Sequence, residues 1–343
     1  MKKQLVLLIV FCIICINQNH CFAQTSQYQF VKSFGGNEEE TGGICSSDKN
    51  GNIIFAGRFE SDSISFDSIT LYNSSTYGRN FYIAKLDPNG NIIWAKSAGS
   101  SSYFLDIIMG CAIDDMGNIF LTGYFHNDSI TFDSITLVNT PGGGSDVFIV
   151  KYDSNGAVQW ARSEGGALAD LGHSCATDGN GNILIVGGFQ SDSISFGTTT
   201  LYNKGVFLVK YDSNGNVLWA KEEGVSLQVN SCCFDKSGNF IITGAFGSDT
   251  ITFGSTTLYC SGGSDFFLAK YDSSGNVLWA QSAGGLSTDE AHKCVADSND
   301  NIIVIGTFYS SNITFGSTIL NQAGYSDMFI VKYDSNGNVL WAQ

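Results

Sequence analysis

Short apolar runs alternate with polar turns along this chain at a period near sixty residues, and the clearest block is FIVKYDSNGNVLW (329–341). Copies stand at 81–94, 148–160, 207–219 and 267–279. Each is a pair of β-branched and aromatic runs around Asp-x-Asn/Ser-Gly, which predicts strand–turn–strand. A glycine fourth in the turn takes φ > 0 and closes a type I turn with a bulge. A second turn precedes each block, DKNG (48–51), DDMG (114–117), DGNG (178–181) and DKSG (235–238), with DSND (297–300) as the copy lacking glycine.

Within each period the order is constant: a variable Gly-led loop, Cys-x-x-Asp, a turn, an apolar run such as NIIVIGTF (301–308), a Ser/Asp loop, a run such as ITFGSTIL (313–320), then the block. That is four or five strands per unit. Trp94, Trp160, Trp219, Trp279 and Trp341 keep the count. A period this long signals a repeat architecture. Four-stranded sheets repeated radially remove long exposed edges, so the expected fold is an all-β propeller of about five repeats, at 35–94, 99–160, 165–219, 224–279 and 284–341. A parallel β-helix has shorter coils and fewer hairpin turns. The stretch YQFVKSFGG (28–36) matches the outer strand and its exit, giving a partial strand at 28–34 and six copies of that strand against five of every other element. This surplus points to a piece of a larger repeat array.

The segments GGNEEETGGICSSDKNGNIIFAGRF (35–59) and FGSTTLYCSGGSDFFLAKYDSSGNVLWAQSAGG (253–285), with their copies, resemble the bacterial secreted β-propeller repeats known as SBBP repeats. The resemblance covers residues 28–343. It implies a propeller on a secreted or surface protein and no defined activity. GNVLW is also similar to part of the quinoprotein propeller repeat, but the turn here has one fewer residue between Asp and Gly.

Composition agrees with many short strands: 25 Phe, 14 Tyr and 40 Gly against 2 Pro. Residues 1–23, with Lys2 and Lys3 ahead of an apolar run from Leu5 to Ile16, read as a secretory signal cleaved after Ala23. The run is short for a membrane span and no later segment approaches one, so no transmembrane segment is expected after cleavage. Formal charge is −15 overall and −17 without the leader. Nucleic acid is an improbable partner for such a chain, because nine of the 15 remaining basic residues recur at block positions instead of forming a stripe.

Five cysteines, Cys45, Cys111, Cys175, Cys232 and Cys294, share one repeat position and read as small buried hydrophobes. Turn chemistry accounts for the Asp-x-Asn-Gly motifs without a calcium ion, and neither a metal site nor a cofactor is expected. The turns fall at one end of the blades and the variable loops at the other. Binding residues usually sit on such loops, which makes Glu39, Asp106, Asp170, His173, Asp289 and His292 the candidate ligand residues and assigns Asp153, in a turn, to the scaffold. The expected role is a secreted or cell-surface binding module for an extracellular protein or glycan. The alternative is an extracellular polysaccharide hydrolase or lyase, which would need a cluster of non-repeated acidic and aromatic residues.

Overall fold

The computed structural model describes residues 30–73, 79–99, 106–142, 144–224 and 227–343. The leader at 1–23 and the variable loop at 101–104 lie outside these. Five four-stranded antiparallel sheets form five blades of a β-propeller, and in each the strands follow chain order from the inner edge outward. Blade 1 comprises Glu40–Ser47, Ile53–Phe59, Asn80–Leu86 and Ile92–Ala98. Blade 2 comprises Ile107–Ile113, Ile119–Phe125, Asp146–Tyr152 and Val158–Glu164; blade 3, Asp170–Thr177, Ile183–Phe189, Gly205–Tyr211 and Val217–Glu223. Blade 4 comprises Leu227–Phe234, Phe240–Phe246, Asp265–Tyr271 and Val277–Ala283; blade 5, Asp289–Ala296, Ile302–Phe308, Asp327–Tyr333 and Val339–Ala342. The inner strands of blades 1 to 5 lie side by side in order, forming a hub.

In blades 2 to 4 the second and third strands are buried almost without alternation because both of their faces are covered, as a continuous short apolar run requires. Blade 3 shows the two sides. Ile183, Ile185, Phe207 and Val209 pack against Phe120, Val147 and Ile149 of blade 2, while Leu184, Val186, Val206 and Leu208 pack toward blade 4. Outer strands are mostly half-buried.

The block turns adopt the expected geometry. Gly90, Gly156, Gly215, Gly275 and Gly337 have φ of 82, 82, 78, 82 and 86°, and a bulge follows three positions on in the outer strand, at Ile93, Gln159, Leu218, Leu278 and Leu340. In the DSND turn, Asp300 takes φ 61° in the place of the missing glycine. Asp87 shows what its residue type does: Oδ1 accepts from the backbone of Asn89 and Asn91 at 2.9 and 2.8 Å, and Oδ2 from the Asn91 amide at 2.8 Å. The turn is self-capped.

Three of the five tryptophans fasten one blade to the next. Trp94 Nε1 and Lys85 Nζ both donate to the Ser154 carbonyl of the next blade, each at 3.2 Å. Trp160 and Lys151 do the same to Ser213 at 3.2 and 2.8 Å, and Trp279 and Lys270 to Ser335 at 3.1 Å each.

Two elements differ from the sequence expectation. The ITFGSTIL-type run is no fifth blade strand but a separate two-stranded ribbon, such as Asn312–Phe315 with Thr318–Asn321, lying between the outer strands of adjacent blades. Blades diverge outward, and the ribbon fills the wedge: Phe66, Phe132, Phe196, Phe253 and Phe315 are at most 1 % exposed. Burying one such ring contributes roughly 2–3 kcal/mol. The partial strand is the other difference. Residues 30–34 join no ladder, and Gly35 makes an isolated bridge to Ser65, while 28–29 lie outside the described residues.

Candidate functional site

Every inner strand carries one extra residue relative to its partner, and the bulge falls at Gly43, Met109, His173, Asn230 and His292. A bulge re-aims its side chain. Here it turns the side chain along the hub. His173 Nδ1 meets the Val229 carbonyl of blade 4 at 2.9 Å, and Asn230 Nδ2 donates to the Ala291 carbonyl of blade 5 at 2.8 Å. Two positions on are the repeat cysteines. Cys232 and Cys294 donate to Ser174 and Ser231 of the preceding blade, both with S–O 3.7 Å. Burial pushes Cys111 and Cys232 up to about 12, so these thiols stay protonated. Adjacent Cys232 and Cys233 point to opposite faces of their strand, toward different blade interfaces.

At the loop end of the hub, a cavity of about 420 Å³ opens between blades 1, 2 and 5. Its wall is apolar, with Ile44, Phe81, Ile107, Ile108 and Met109, and glycines 42, 43 and 57 keep its floor low. Two cations border it, Arg58 and Lys293. Arg58 Nε donates to Thr41 Oγ1 at 2.9 Å, which holds the guanidinium in place while its remaining nitrogens have no partner among the described residues. Lys293 is exposed and has no ion-pair partner among them. It stands on the inner strand of blade 5, where it lines the cavity opposite Arg58 of blade 1. Asp106 also borders the cavity, with Oδ1 accepting from the His126 backbone at 3.1 Å and the Asn127 amide at 2.9 Å. The opposite mouth, at the turn end, is lined by Asp115, Asp178, Asp235, Asp297 and Lys236. Three of these aspartates, Asp178, Asp235 and Asp297, are paired with Lys210, Lys270 and Lys332 at 2.9, 2.8 and 2.8 Å, so much of the acidity at that mouth is neutralised within the scaffold.

Arg58 and Lys293 are repeat positions filled by non-repeated residues. Tyr124, Gly188, Ala245 and Thr307 stand where Arg58 does in the other blades, and Ile44, Gly110, Ser174 and Ser231 where Lys293 does. Aligning the repeats and asking where charge departs from the pattern would have found both; loop variability pointed elsewhere.

The structure divides the six sequence candidates. Asp170 is fully buried: Oδ1 accepts from the backbone of Gln190 and Ser191 at 3.0 and 3.2 Å, and Oδ2 from Gly166 N and Ser191 Oγ, both at 2.7 Å. Asp289 repeats this with Gly285, Tyr309 and Ser310. Asp106 is 2 % exposed. These carboxylates tie the start of the inner strands of blades 2, 3 and 5 to the loop after the second strand, so these oxygens are engaged within the scaffold. Glu39 is exposed, away from the cavity wall. His173 is fixed between blades and burial holds its pKa below the usual value, so it is neutral near pH 7. His292 is exposed and bonds Thr307 Oγ1 at 2.8 Å. The two histidines share the bulge position; the six residues do not form one pocket.

No protein-family model matches the chain. An uncharacterized WD repeat-containing protein, L264, of Acanthamoeba polyphaga mimivirus is 24 % identical over 368 aligned residues, covering 84 % of this chain and 26 % of the relative. Regulatory protein FlaEY of Caulobacter vibrioides is 27 % identical over 216 residues, covering 56 % and 22 %. The chain thus spans about a quarter of the length of these curated relatives. Among solved structures, a protein of unknown function from Bacteroides caccae is similar with TM-score 0.43 and 12 % identity, covering 89 % of this chain and 82 % of that one. The Neurospora crassa Pan2 WD40 domain has TM-score 0.37 and 10 % identity, covering 88 % and 78 %. The propeller is read here from its own blades and hub.

Proposed function

We propose that this chain is a binding module of the secreted β-propeller repeat kind, working outside the cell or at its surface. It takes an anionic group of an extracellular protein or glycan into the hub cavity. The observation that carries this reading is the convergence of Arg58 and Lys293 on one apolar-walled cavity in a strongly acidic chain. Unpaired cations beside low-dielectric walls focus potential and attract opposite charge. A planar guanidinium suits a carboxylate or sulfate in two-point contact, and Lys293 adds a mobile point charge. The apolar wall then selects for a ligand whose charged group adjoins a hydrophobic one. The resemblance to the SBBP repeats and the signal-like leader support the extracellular setting.

The test is a screen of the mature protein against panels of acidic and neutral oligosaccharides and peptides, run beside Arg58→Gln/Lys293→Gln. Hits confined to acidic members and lost in the double variant support the reading. Hits that survive unchanged in the double variant contradict it.

A further inference from the structure

The last inter-blade face is bare. In blades 1 to 4 the third-strand residue Phe81, Val147, Val206 or Phe266 is 3, 3, 1 or 0 % exposed, whereas its counterpart Met328 in blade 5 is 85 % exposed. Ala56, Thr122, Val186 and Thr243 are at most 1 % exposed, against 46 % for Ile305. Val295 is 55 % exposed on the same face. End repeats of repeat proteins carry a polar outer face. This one is apolar, so it is built as an interface and not as a cap.

The contacts that fasten one blade to the next also stop there. Trp341 is 40 % exposed, whereas Trp94, Trp160, Trp219 and Trp279 are all half-buried against the following blade, three of them bonded to its turn carbonyl. His292 bonds within its own blade, where His173 and Asn230 reach forward to the next.

On the other side of the gap, residues 30–36 already lie on blade 1 as the outer strand of a preceding blade would. Lys32 pairs with Asp67 at 2.6 Å, as Lys96 of blade 1 pairs with Asp133 of blade 2 at 2.7 Å. Gly35 bridges Ser65 as Gly99 bridges Thr131. A Cβ on Gly90 would stand 2.6 Å from the Phe30 ring, as one on Gly156 would stand 3.0 Å from Trp94. Inward of this segment, Cys45 is exposed where Cys175, Cys232 and Cys294 are buried by a preceding blade.

We propose that the gap between blade 5 and blade 1 is the seat of a sixth repeat of this same kind, which supplies three inner strands and takes residues 30–36 as its fourth. Its third strand gives the amides of 30–34 their ladder, its second strand covers Ile305 and Cys45, and its turn carbonyl meets Trp341. Its inner strand walls the hub cavity on the side of Lys293. The continuity of the four existing interfaces with the two bare faces selects this occupant over any other.

The experiment joins a further repeat after Gln343 in two separate fusions, one carrying residues 222–275 and one residues 282–337, so that a poor single copy does not decide the outcome. Thiol labelling of Cys45 and amide hydrogen exchange of residues 30–34 are compared with the chain alone. The expected result in at least one fusion is a monomer with Cys45 labelled at least tenfold more slowly and new protection at 30–34. Unchanged Cys45 labelling and no new protection in both fusions overturns the proposal. So does a self-associated unfused chain in which Cys45 and Met328 are already covered, since the occupant would then be a second copy.

Discussion

His173 Nδ1 lies 2.9 Å from the carbonyl oxygen of Val229, a bond that joins the bulge of one inner strand to the residue before the bulge of the next. His292 occupies the same repeat position and reaches only Thr307 of its own blade. The pair is a natural control for what the hub contact contributes. His173→Ala leaves a buried carbonyl without its donor and should cost about 1–3 kcal/mol, while His292→Ala should change stability by less than about 0.5 kcal/mol. Urea unfolding of the two variants checks this; equal losses would mean that the bulge contact does not fasten blades 3 and 4.

The buried carboxylates invert the roles that loop position assigns. Asp170 receives four hydrogen bonds through two oxygens, so in Asp170→Asn the amide group must face a donor, at a cost of about 2–3 kcal/mol. Asp153 in a turn accepts from the backbone of Asn155 and Ala157 through Oδ1, at 2.9 Å each, which an asparagine can also do, and its Oδ2 takes only an exposed 3.3 Å bond from the Gln159 amide. Asp153→Asn should cost less than about 1 kcal/mol. Chemical unfolding midpoints of the two variants decide the order.

Stability should fall on both sides of a maximum near about pH 4, where unfolded carboxyls titrate. Burial raises Glu164 to about 7 and lifts Asp146, Asp170, Asp265 and Glu223 as well. For such a group the folded state holds a proton that the unfolded state has released, so its contribution is present below the unfolded pKa and is lost as pH rises toward the folded one. Turn aspartates behave oppositely. Burial pushes Asp178 up, but Asn182 and Lys210 outweigh it and hold the carboxyl below its usual range, so its contribution is lost as pH falls through that lowered value. Glu164→Gln should flatten the decline between pH 5 and 8 by about 2 kcal/mol, read from melting temperature against pH. A decline of full size in that variant would assign it to other groups.

Much of the fold was legible because each blade restates its own rules. Asp-x-Asn-Gly turns, tryptophan spacing and the doubly apolar second strand fix hairpins, period and burial before any coordinate is known. The place of the Phe66-type ribbons, which leaves four or five strands per unit open in the sequence, is not legible there because a period-two run such as SISF looks the same whether it joins a sheet or fills a wedge. The site was legible only in part. Acidity near a loop marked Asp170 and Asp289, yet whether a carboxylate faces solvent or two backbone amides depends on the loop after the second strand, some twenty residues on. Arg58 and Lys293 are 235 residues apart in sequence, and only the hub's curvature brings them to one cavity.

Export is a separate expectation, carried by the leader. Mature protein recovered outside the cytoplasm should begin at Gln24, after the small residue Ala23 that closes the polar end of the segment. N-terminal sequencing checks it, and a soluble intracellular product retaining Met1 would remove the extracellular setting from the proposed role.

Calorimetric titration of the mature protein with 2-naphthoate and its neutral counterpart 2-naphthamide separates charge from apolar contact at the hub cavity. Recognition of an anion by Arg58 and Lys293 predicts one saturable site for naphthoate, at least tenfold weaker for naphthamide, weakened by salt and lost in Arg58→Gln/Lys293→Gln. Equal binding of the two probes, or naphthoate binding unchanged in the double variant, would contradict a cationic hub site.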